Sequence, residues 1–330
     1  MPCRSCLFLE LEFEIQLMSK ENQTVIPSIQ QFFKRRQLEL TVEKNSLYMN
    51  EQGAKEFLDF STGHMDLAEM QFRVENQDWK PMTELESILE TKWLDEVIRE
   101  KRIISYSQPI VTRDKEIYAY EVLSRFTRED GSMIYPNEIF SAARARGRLY
   151  ALDRLCRMTA VSYSAILQKK TFINFIPTSI YSPEFCLKST IHRANQLNIN
   201  PSQFVFEVVE TEQVDDVEHL KNILNYYNER GFKYALDDVG EGFSTMEMLD
   251  QIQPHYMKLD IKYVQGVSEN EEKQQIARAF LEKAMEIGAT PLAEGIESEE
   301  DFEWLKACGY ELFQGYLFGK PSVEPLRKVS

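Results

Sequence analysis

The sequence predicts an α/β protein in which a closed β/α barrel follows a small α+β domain. The chain has 330 residues, which is more than one ordinary domain needs. From residue 103 onward, apolar strand-like segments alternate with helical patterns, whereas residues 1–82 mix single strands and helices without that repeat. We therefore expect a small α+β regulatory or adaptor domain over residues 1–82, a connecting helix over residues 83–102 and the barrel over residues 103–330.

The first domain is predicted from short segments of different periodicity. Residues 9–17 alternate strictly between apolar and polar side chains, which indicates a strand with one solvent-exposed face. Residues 38–42 and 70–74 alternate in the same way and predict two further strands. Residues 26–36 and 51–60 have helical spacing. No ligand-binding motif stands out here, so the signal that this domain senses is left open.

The connecting helix is predicted by an apolar stripe that begins after Pro81, where Leu85, Ile88 and Val97 fall on one helical face.

The barrel is predicted by the repetition of strand and helix patterns. Helical patterns separate most of its apolar segments, and Gly231 follows one of these patterns where a helix should end. Such alternation favours a parallel sheet, and six or more units favour closure into a barrel. The predicted strands cover residues 172–176, 204–209, 234–236, 256–259, 291–293 and 312–318.

Polar side chains follow most of the predicted barrel strands, at the point where we expect each strand to end. The carboxyl ends of the strands of a β/α barrel meet at one mouth, where active sites are built. We therefore expect five carboxylates, two amides and one ammonium group to face a single cavity. These residues are Glu121, Asn174, Glu207, Asp237, Asp238, Lys258, Glu294 and Gln314.

This combination of side chains predicts a metal site. Carboxylates about 4 Å apart repel each other by roughly 4 kcal/mol at an effective dielectric constant near 20, and Lys258 alone is not enough to offset that repulsion. Divalent cations with oxygen ligands would offset it, and two of them would also polarise a phosphodiester and activate water. Each residue taken singly has an ordinary alternative, such as a helix N-cap. Taken together, they indicate metal-assisted phosphoester hydrolysis.

Composition restricts the partners and the compartment. The net charge of −15 argues against binding to nucleic-acid polymers or to anionic membranes. No apolar segment approaches the roughly 20 residues that span a bilayer, and no signal peptide is evident. The odd, scattered set of cysteines indicates a reducing compartment, so we expect a cytoplasmic protein. Cys3 and Cys6 form a CxxC, but no second pair is present to complete a zinc site.

Eight segments carry a resemblance to a known family over about residues 103–325. Together they resemble the EAL family of bacterial cyclic di-GMP phosphodiesterases. The segments are Tyr106-Ser107-Gln108-Pro109-Ile110-Val111, Glu121-Val122-Leu123-Ser124-Arg125, Phe172-Ile173-Asn174, Phe206-Glu207-Val208-Val209-Glu210, Asp237-Asp238-Val239-Gly240-Glu241-Gly242-Phe243-Ser244, Met257-Lys258-Leu259-Asp260, Ala293-Glu294-Gly295-Ile296-Glu297 and Phe313-Gln314-Gly315-Tyr316.

The resemblance implies a modified TIM-like β/α barrel with one antiparallel strand, and a site that holds two Mg²⁺ or Mn²⁺ ions. By that resemblance, Glu121, Asn174, Glu207 and Asp237 would bind the first metal. Asp237 would also bridge to the second metal, with Asp238 beside it as a ligand and catalytic group.

The resemblance also implies roles around the metals. Lys258 would hold the attacking water or steady the developing charge. Glu294 would act as general base or contact the second metal through water. The substrate would be bound by Gln108, Arg125 and Gln314, and the loop after Asp238 would be supported by Glu210 and Glu297.

The implied activity is hydrolysis of cyclic di-GMP to linear 5′-pGpG in bacterial second-messenger signalling, by a homodimer formed through the barrel domain. One alternative is a receptor that binds cyclic di-GMP without cutting it and signals through the N-terminal domain. Another is an interaction module that binds neither. Val239, Glu241 and Phe243 depart from the family pattern and bear on activity. The complete ligand set favours the hydrolase.

Overall fold

The computed structural model describes residues 10–75, 77–208, 217–237 and 246–329. Packing divides the chain into two compact units. The first unit comprises residues 1–102 and 127–152, and the second comprises residues 103–126 and 153–330. The segment that follows the second barrel strand therefore belongs to the first unit, although it lies inside the predicted barrel range. Among the described helices, none is long and apolar enough to cross a membrane.

The strands and helices of the described residues are numbered along the chain. The strands are β1 Glu12–Leu17, β2 Thr41–Glu43, β3 Ser46–Asn50, β4 Met70–Val74, β5 Lys80–Pro81, β6 Ile103–Thr112, β7 Ile117–Thr127, β8 Met133–Ile134, β9 Lys170–Phe175, β10 Phe204–Val208, β11 Lys233–Leu236, β12 Tyr256–Leu259, β13 Thr290–Ala293 and β14 Leu312–Gln314. The helices are α1 Lys20–Thr24, α2 Ile26–Arg36, α3 Glu51–Ser61, α4 Leu85–Glu90, α5 Trp93–Glu100, α6 Pro136–Ala145, α7 Leu149–Leu167, α8 Pro183–Cys186, α9 Lys188–Gln196, α10 Val217–Asn228, α11 Met246–Ile252, α12 Ile261–Val264, α13 Glu271–Ile287 and α14 Glu299–Cys308.

The first unit contains an antiparallel sheet of order β2-β3-β1-β4-β5. The central strand β1 buries Phe13 and Ile15 on one face, as its alternation predicts. The opposite face is less exposed than expected, because Glu14 is only 8% exposed. Arg73 Nε donates to Glu14 Oε2 at 2.7 Å, and Tyr48 Oη donates to Oε1 at 3.0 Å. These partners satisfy the buried carboxylate.

Strand β3 and the connecting segment are among the places where the first unit differs from the prediction. Strand β3 was not predicted; it pairs with β2 and with β1. The connecting helix predicted over residues 83–102 is two helices, α4 and α5. Thr91 Oγ1 donates to the Ile88 carbonyl at 2.6 Å in the turn between them. A side-chain hydroxyl that takes a helix carbonyl in this way competes with the next backbone hydrogen bond, which favours a break.

A buried arginine ties the segment after β7 to the rest of the first unit. Arg146 is 0% exposed and donates to both carboxylate oxygens of Glu51, at 2.9 and 3.1 Å. It also donates to Asp95 Oδ2 at 2.6 Å and to the Ile88 carbonyl at 2.9 Å. Arg148 adds a second contact to Asp95 at 3.0 Å. The planar guanidinium fork suits this bidentate pairing.

The second unit is a closed barrel of eight strands, in the order β6-β14-β13-β12-β11-β10-β9-β7, with β7 pairing back to β6. Strand β6 is antiparallel to both neighbours, and the other pairs are parallel. Residues 113–116 alone connect β6 to β7, which is too short for the crossover that parallel neighbours need. The modified barrel with one antiparallel strand is therefore confirmed.

The barrel interior has an apolar floor to which each of the eight strands contributes one buried residue. Side chains two positions apart on a strand share a face, so this layer sets which other residues point inward. The floor consists of Ile110, Ala119, Phe172, Val205, Ala235, Tyr256, Leu292 and Leu312.

We expect Arg146→Met to lower the free energy of unfolding of the first unit by about 3–5 kcal/mol, because it leaves the buried Glu51 without its cation. Urea unfolding followed by the fluorescence of Trp79 and Trp93, which lie in that unit, would measure the change. Arg35→Met, on the exposed face of α2, is the matched control. Equal stability of the two variants would contradict the prediction.

Candidate active site

The candidate site is a layer of polar side chains directly above the apolar floor. Asn174 lies two positions beyond the floor residue Phe172, and Glu207 lies two positions beyond Val205. In β6, which runs the other way, Gln108 precedes its floor residue by two positions. The alternation of side chains therefore places one polar residue from every strand on the same inner face. The layer comprises Gln108, Glu121, Asn174, Glu207, Asp237, Lys258, Glu294 and Gln314.

Lys258 is the centre of the acidic part of this layer. Its side chain is 1% exposed and its Nζ lies 2.7 Å from Glu207 Oε1 and 3.2 Å from Asp237 Oδ1. It also pairs with Glu294 Oε1. Carboxylates on β10 and directly after β11 and β13 thus converge on one ammonium group. This convergence is what the positions of the residues after the predicted strands indicated.

Glu121 is held by amides on the other side of the layer. Asn174 Nδ2 donates to Glu121 Oε1 at 2.8 Å, and Gln314 Nε2 donates to Oε2 at 2.6 Å. Gln314 Nε2 also lies 3.1 Å from Gln108 Oε1, and Gln108 Nε2 donates to the Gly319 carbonyl at 3.2 Å. These contacts link Gln108 and Gln314, two of the predicted substrate-binding residues, to Glu121. Glu121 was expected at a strand end, but it lies inside β7, because that strand continues to Thr127.

The carboxyl groups of Glu207 and Glu121 have pKa values shifted in opposite directions. Complete burial raises the pKa of Glu207 well above its usual range, and the neighbouring charges of Glu121 and Asp237 raise it further against the opposing effect of Lys258. Burial also acts to raise the pKa of Glu121, but the Lys258 charge and the bonds from Gln314 and Asn174 outweigh it and hold that pKa low. The pKa of Lys258 is raised well above its usual value; burial opposes this rise, but the carboxylates outweigh it. The carboxyl group of Glu207 therefore keeps its proton to a higher pH than an ordinary glutamate, while the Lys258 ammonium stays charged.

Two glycines bring the loops after β13 and β14 together. A Cβ on Gly315 would lie 2.0 Å from the Ile296 carbonyl oxygen, so another residue cannot be accommodated there. The close approach allows Ile296 N to donate to the Gln314 carbonyl at 3.0 Å and Leu317 N to donate to the Ile296 carbonyl at 3.1 Å. Gly295 has φ +69°, which favours glycine. Sequence reasoning gave these glycines no role, although each directly follows a site residue.

The donor chemistry fits a hard divalent cation. Glu121, Glu207 and Asp237 supply carboxylate oxygens, and Asn174 supplies an amide oxygen. Both carboxylate oxygens of the buried Glu207 lack a hydrogen bond of good geometry within the described ranges, although Lys258 Nζ lies close to Oε1. Within the same ranges no three Asp, Glu, His or Cys side chains are arranged as a metal-binding group. The oxygen donors of these four side chains therefore suit a metal ion, although the side chains are not arranged around one.

The remaining predicted residues lie at the edge of the site or outside the described part of the chain. Arg125 is half-buried; its guanidinium lies 5.5 Å from the centre of the Tyr106 ring and donates to the Ser124 carbonyl at 2.9 Å. Glu297 is exposed, so its predicted support of the loop after Asp238 stays a prediction. Residues outside the described ranges are Asp238, Glu210, Val239, Glu241, Phe243, Cys3 and Cys6.

Comparison with known proteins gives concordant matches. The EAL domain profile matches residues 91–321. The probable cyclic di-GMP phosphodiesterase PdeG of Escherichia coli (strain K12) is 30% identical over 235 residues, covering 69% of this chain and 46% of PdeG. The cyclic di-GMP phosphodiesterase PdeF of the same organism is 24% identical over 248 residues, covering 71% of this chain and 33% of PdeF. The chain therefore spans less than half the length of these relatives.

Solved structures match the barrel. A standalone versatile EAL protein from Vibrio cholerae O395, in a c-di-GMP bound form, has 34% sequence identity and a TM-score of 0.61, covering 69% of this chain and 95% of that protein. The EAL domain of Xanthomonas citri FimX, at 17% identity and a TM-score of 0.67, supports the fold. Since the family match spans more than half of the sequence and coincides with the barrel and its polar layer, this chain belongs to the EAL domain family.

Proposed function

We propose that the protein is a metal-dependent phosphodiesterase that hydrolyses cyclic di-GMP to linear 5′-pGpG. The observation that carries the proposal is the convergence of Glu207, Asp237 and Glu294 on the Lys258 ammonium, next to Glu121, in the mouth of an EAL barrel. The functions for which PdeG and PdeF are named, and the c-di-GMP bound form of the Vibrio cholerae protein, support cyclic di-GMP as the substrate.

Two Mg²⁺ or Mn²⁺ ions complete the proposed site. Glu121, Asn174, Glu207 and Asp237 would hold the first, and Asp237 with Asp238 would hold the second. When bound, the cations would polarise the phosphodiester and lower the pKa of a bound water. The oxygen-only donor set suits both ions. The charge balance supports this proposal, because Lys258 supplies a single positive charge to a cluster of four carboxyl groups, those of Glu121, Glu207, Asp237 and Glu294.

Lys258 and Glu294 would have different roles in the reaction. Because the pKa of Lys258 is raised, its side chain remains an ammonium and stabilises negative charge as it develops on the phosphate or on the attacking water. An ammonium cannot accept a proton. Glu294 is in contact with Lys258 and its side chain is 20% exposed, so it can take the proton of the attacking water as general base.

The substrate would be positioned by groups on the β6–β7 side of the mouth. Arg125 lies in the same strand as Glu121, four positions further along, so both side chains emerge on the same face. Its planar guanidinium suits a phosphate group. Gln108 and Gln314 already contact each other, and together they would orient water or the nucleotide above Glu121.

The organisation around the barrel is also proposed. We infer a cytoplasmic protein that forms a homodimer through its barrel domain. The first 82 residues would act as a regulatory or adaptor domain in second-messenger signalling. The charge of −15 supports the expectation that the protein binds neither nucleic-acid polymers nor anionic membranes.

The decisive experiment mixes the purified full chain with cyclic di-GMP and either Mg²⁺ or Mn²⁺, and separates the products by chromatography. We expect linear pGpG, and no product after the metal is removed with EDTA. Binding of cyclic di-GMP without cleavage would support the receptor alternative instead. Absence of both binding and cleavage would overturn the proposed function.

Glu121→Ala should reduce turnover by more than about 100-fold, because loss of a direct ligand exceeds the 10–100-fold effect typical of the contacts that support ligands. Turnover of cyclic di-GMP in saturating Mn²⁺ measures this. Glu116→Ala is a matched control, since Glu116 is exposed at the other end of the same hairpin. A Glu121→Ala variant that cleaves at the rate of the control would argue against the assignment.

Mn²⁺ affinity should fall as the pH decreases from neutral to mildly acidic values. A metal binds the carboxylate form, and the raised pKa of Glu207 means that binding must displace its proton. More of the site is deprotonated at higher pH, so affinity rises with pH until that pKa is passed. Calorimetry in two buffers of different ionisation enthalpy would detect the released proton. An affinity that does not vary over this pH range would contradict the prediction.

A further inference from the structure

A buried ion pair lies in α7, outside the polar layer, and the proposed chemistry does not use it. Asp153 is 2% exposed and Arg157 is 0% exposed. Arg157 Nε donates to Asp153 Oδ2 at 2.7 Å, one helical turn away. Helices of a β/α barrel normally pack on its strands through apolar side chains, and a buried ion pair is often less stable than apolar residues of similar volume. The contacts of these two side chains suggest why a buried ion pair is present at this position.

Asp153 binds the chain where it leaves β9. Its Oδ1 accepts the backbone N–H of Ile176 at 3.0 Å. Its Oδ2 lies 3.2 Å from Ser179 Oγ, which is also 2.8 Å from the Ile176 carbonyl. Strand β9 ends at Phe175, so the carboxylate receives the first backbone N–H beyond the strand. Asn174, one of the four proposed ligands of the first metal, is two residues away.

Arg157 connects this contact to the next helix. Arg157 Nη1 donates to Thr190 Oγ1 of α9 at 2.7 Å, and Thr190 is itself buried. The guanidinium thus holds Asp153 from one side while α9 holds the guanidinium from the other. Because all of these groups are buried, water does not compete for the bonds, and the position of the carboxylate is well defined.

The same pair of strands carries the proposed metal ligands on its inner face. Asn174 of β9 and Glu207 of β10 are direct partners in the sheet register. Their sequence neighbours Phe175 and Phe206 point the other way, and both contact Tyr227 of α10, with ring centroids 6.0 and 4.0 Å apart. Both strands are therefore packed from outside at the positions next to the ligands.

We propose that Asp153, held by Arg157, is a positioning residue that fixes the exit of β9 and so keeps Asn174 beside Glu207 for cation binding. This inference rests on the proposed function, because it assumes that these side chains bind a metal. Outer contacts of this kind orient ligands, and their loss weakens metal binding without removing a ligand.

The test compares Mn²⁺ binding by calorimetry to the metal-free full chain and its variants. The double variant Asp153→Leu with Arg157→Met removes both charges together, so neither is left buried and unpaired, and it deletes the acceptor for Ile176 N–H. We expect Mn²⁺ to bind about 10-fold more weakly. We also expect kcat for cyclic di-GMP to fall while KM changes by less than about twofold, because the substrate-binding groups lie on other strands.

A second pair of substitutions separates the hydrogen bond from the charge. Asp153→Asn combined with Arg157→Gln keeps an amide oxygen for Ile176 N–H but carries no charge. We expect Mn²⁺ affinity within about threefold of wild type, because the anchor of β9 is retained. Tyr310→Phe is the stability control: it removes a buried 2.8 Å bond to the Ala277 carbonyl in the same unit. It should lower stability and leave Mn²⁺ affinity unchanged.

The outcomes distinguish the two proposals. If wild-type protein binds no Mn²⁺, the proposed function and this inference both fail. If wild-type protein binds Mn²⁺ and the Asp153→Leu, Arg157→Met variant binds it equally well, the inference alone fails. A matching loss in Tyr310→Phe would also overturn it, since the effect would then follow stability. Should the double variant not fold, Asp153→Ala combined with Arg157→Gln is the test, because it also deletes the acceptor for Ile176 N–H, and unchanged Mn²⁺ affinity in it would overturn the inference.

Discussion

Repulsion among carboxylates in the barrel mouth is the constraint on which the site depends. Lys258 lies against Glu207, Asp237 and Glu294, while amide donors from Asn174 and Gln314 satisfy Glu121. These contacts offset part of the repulsion, but a single ammonium faces four carboxyl groups, and burial together with the charges of Glu121 and Asp237 raises the pKa of Glu207. A divalent cation would remove the rest, because it supplies more charge than one ammonium and accepts several oxygen ligands. The function we propose follows from that imbalance.

A closed barrel can assemble such a cluster because its side chains alternate. An apolar floor fills the barrel, and the residues two positions above it form the polar layer, so packing and chemistry use the same strands at different heights. The antiparallel strand β6 contributes to both layers in reverse order, with Ile110 in the floor and Gln108 above it. The short connection to β7 makes this reversal necessary.

Both units contain a buried arginine that joins segments distant in sequence. Arg146 brings together Glu51 and Asp95 in the first unit, and Arg157 joins Asp153 to Thr190 in the second. Each guanidinium is placed where several buried oxygens need donors, which apolar packing could not supply. In the first unit, the cluster around Arg146 holds distant segments of the chain together. In the second, the cluster around Arg157 lies behind the strands that carry two of the proposed metal ligands.

Sequence alone predicted the closed barrel, six of its eight strands and seven of the eight residues of the polar layer, because these depend on local periodicity and on the type of residue near the end of each strand. Asn174, Glu207, Lys258 and Gln314 were all identified in this way. Only the tertiary structure decided that residues 127–152 belong to the first unit and that Asp153 binds the backbone of Ile176. Those contacts join residues far apart along the chain, and no local pattern of hydrophobicity encodes which buried donor meets which acceptor.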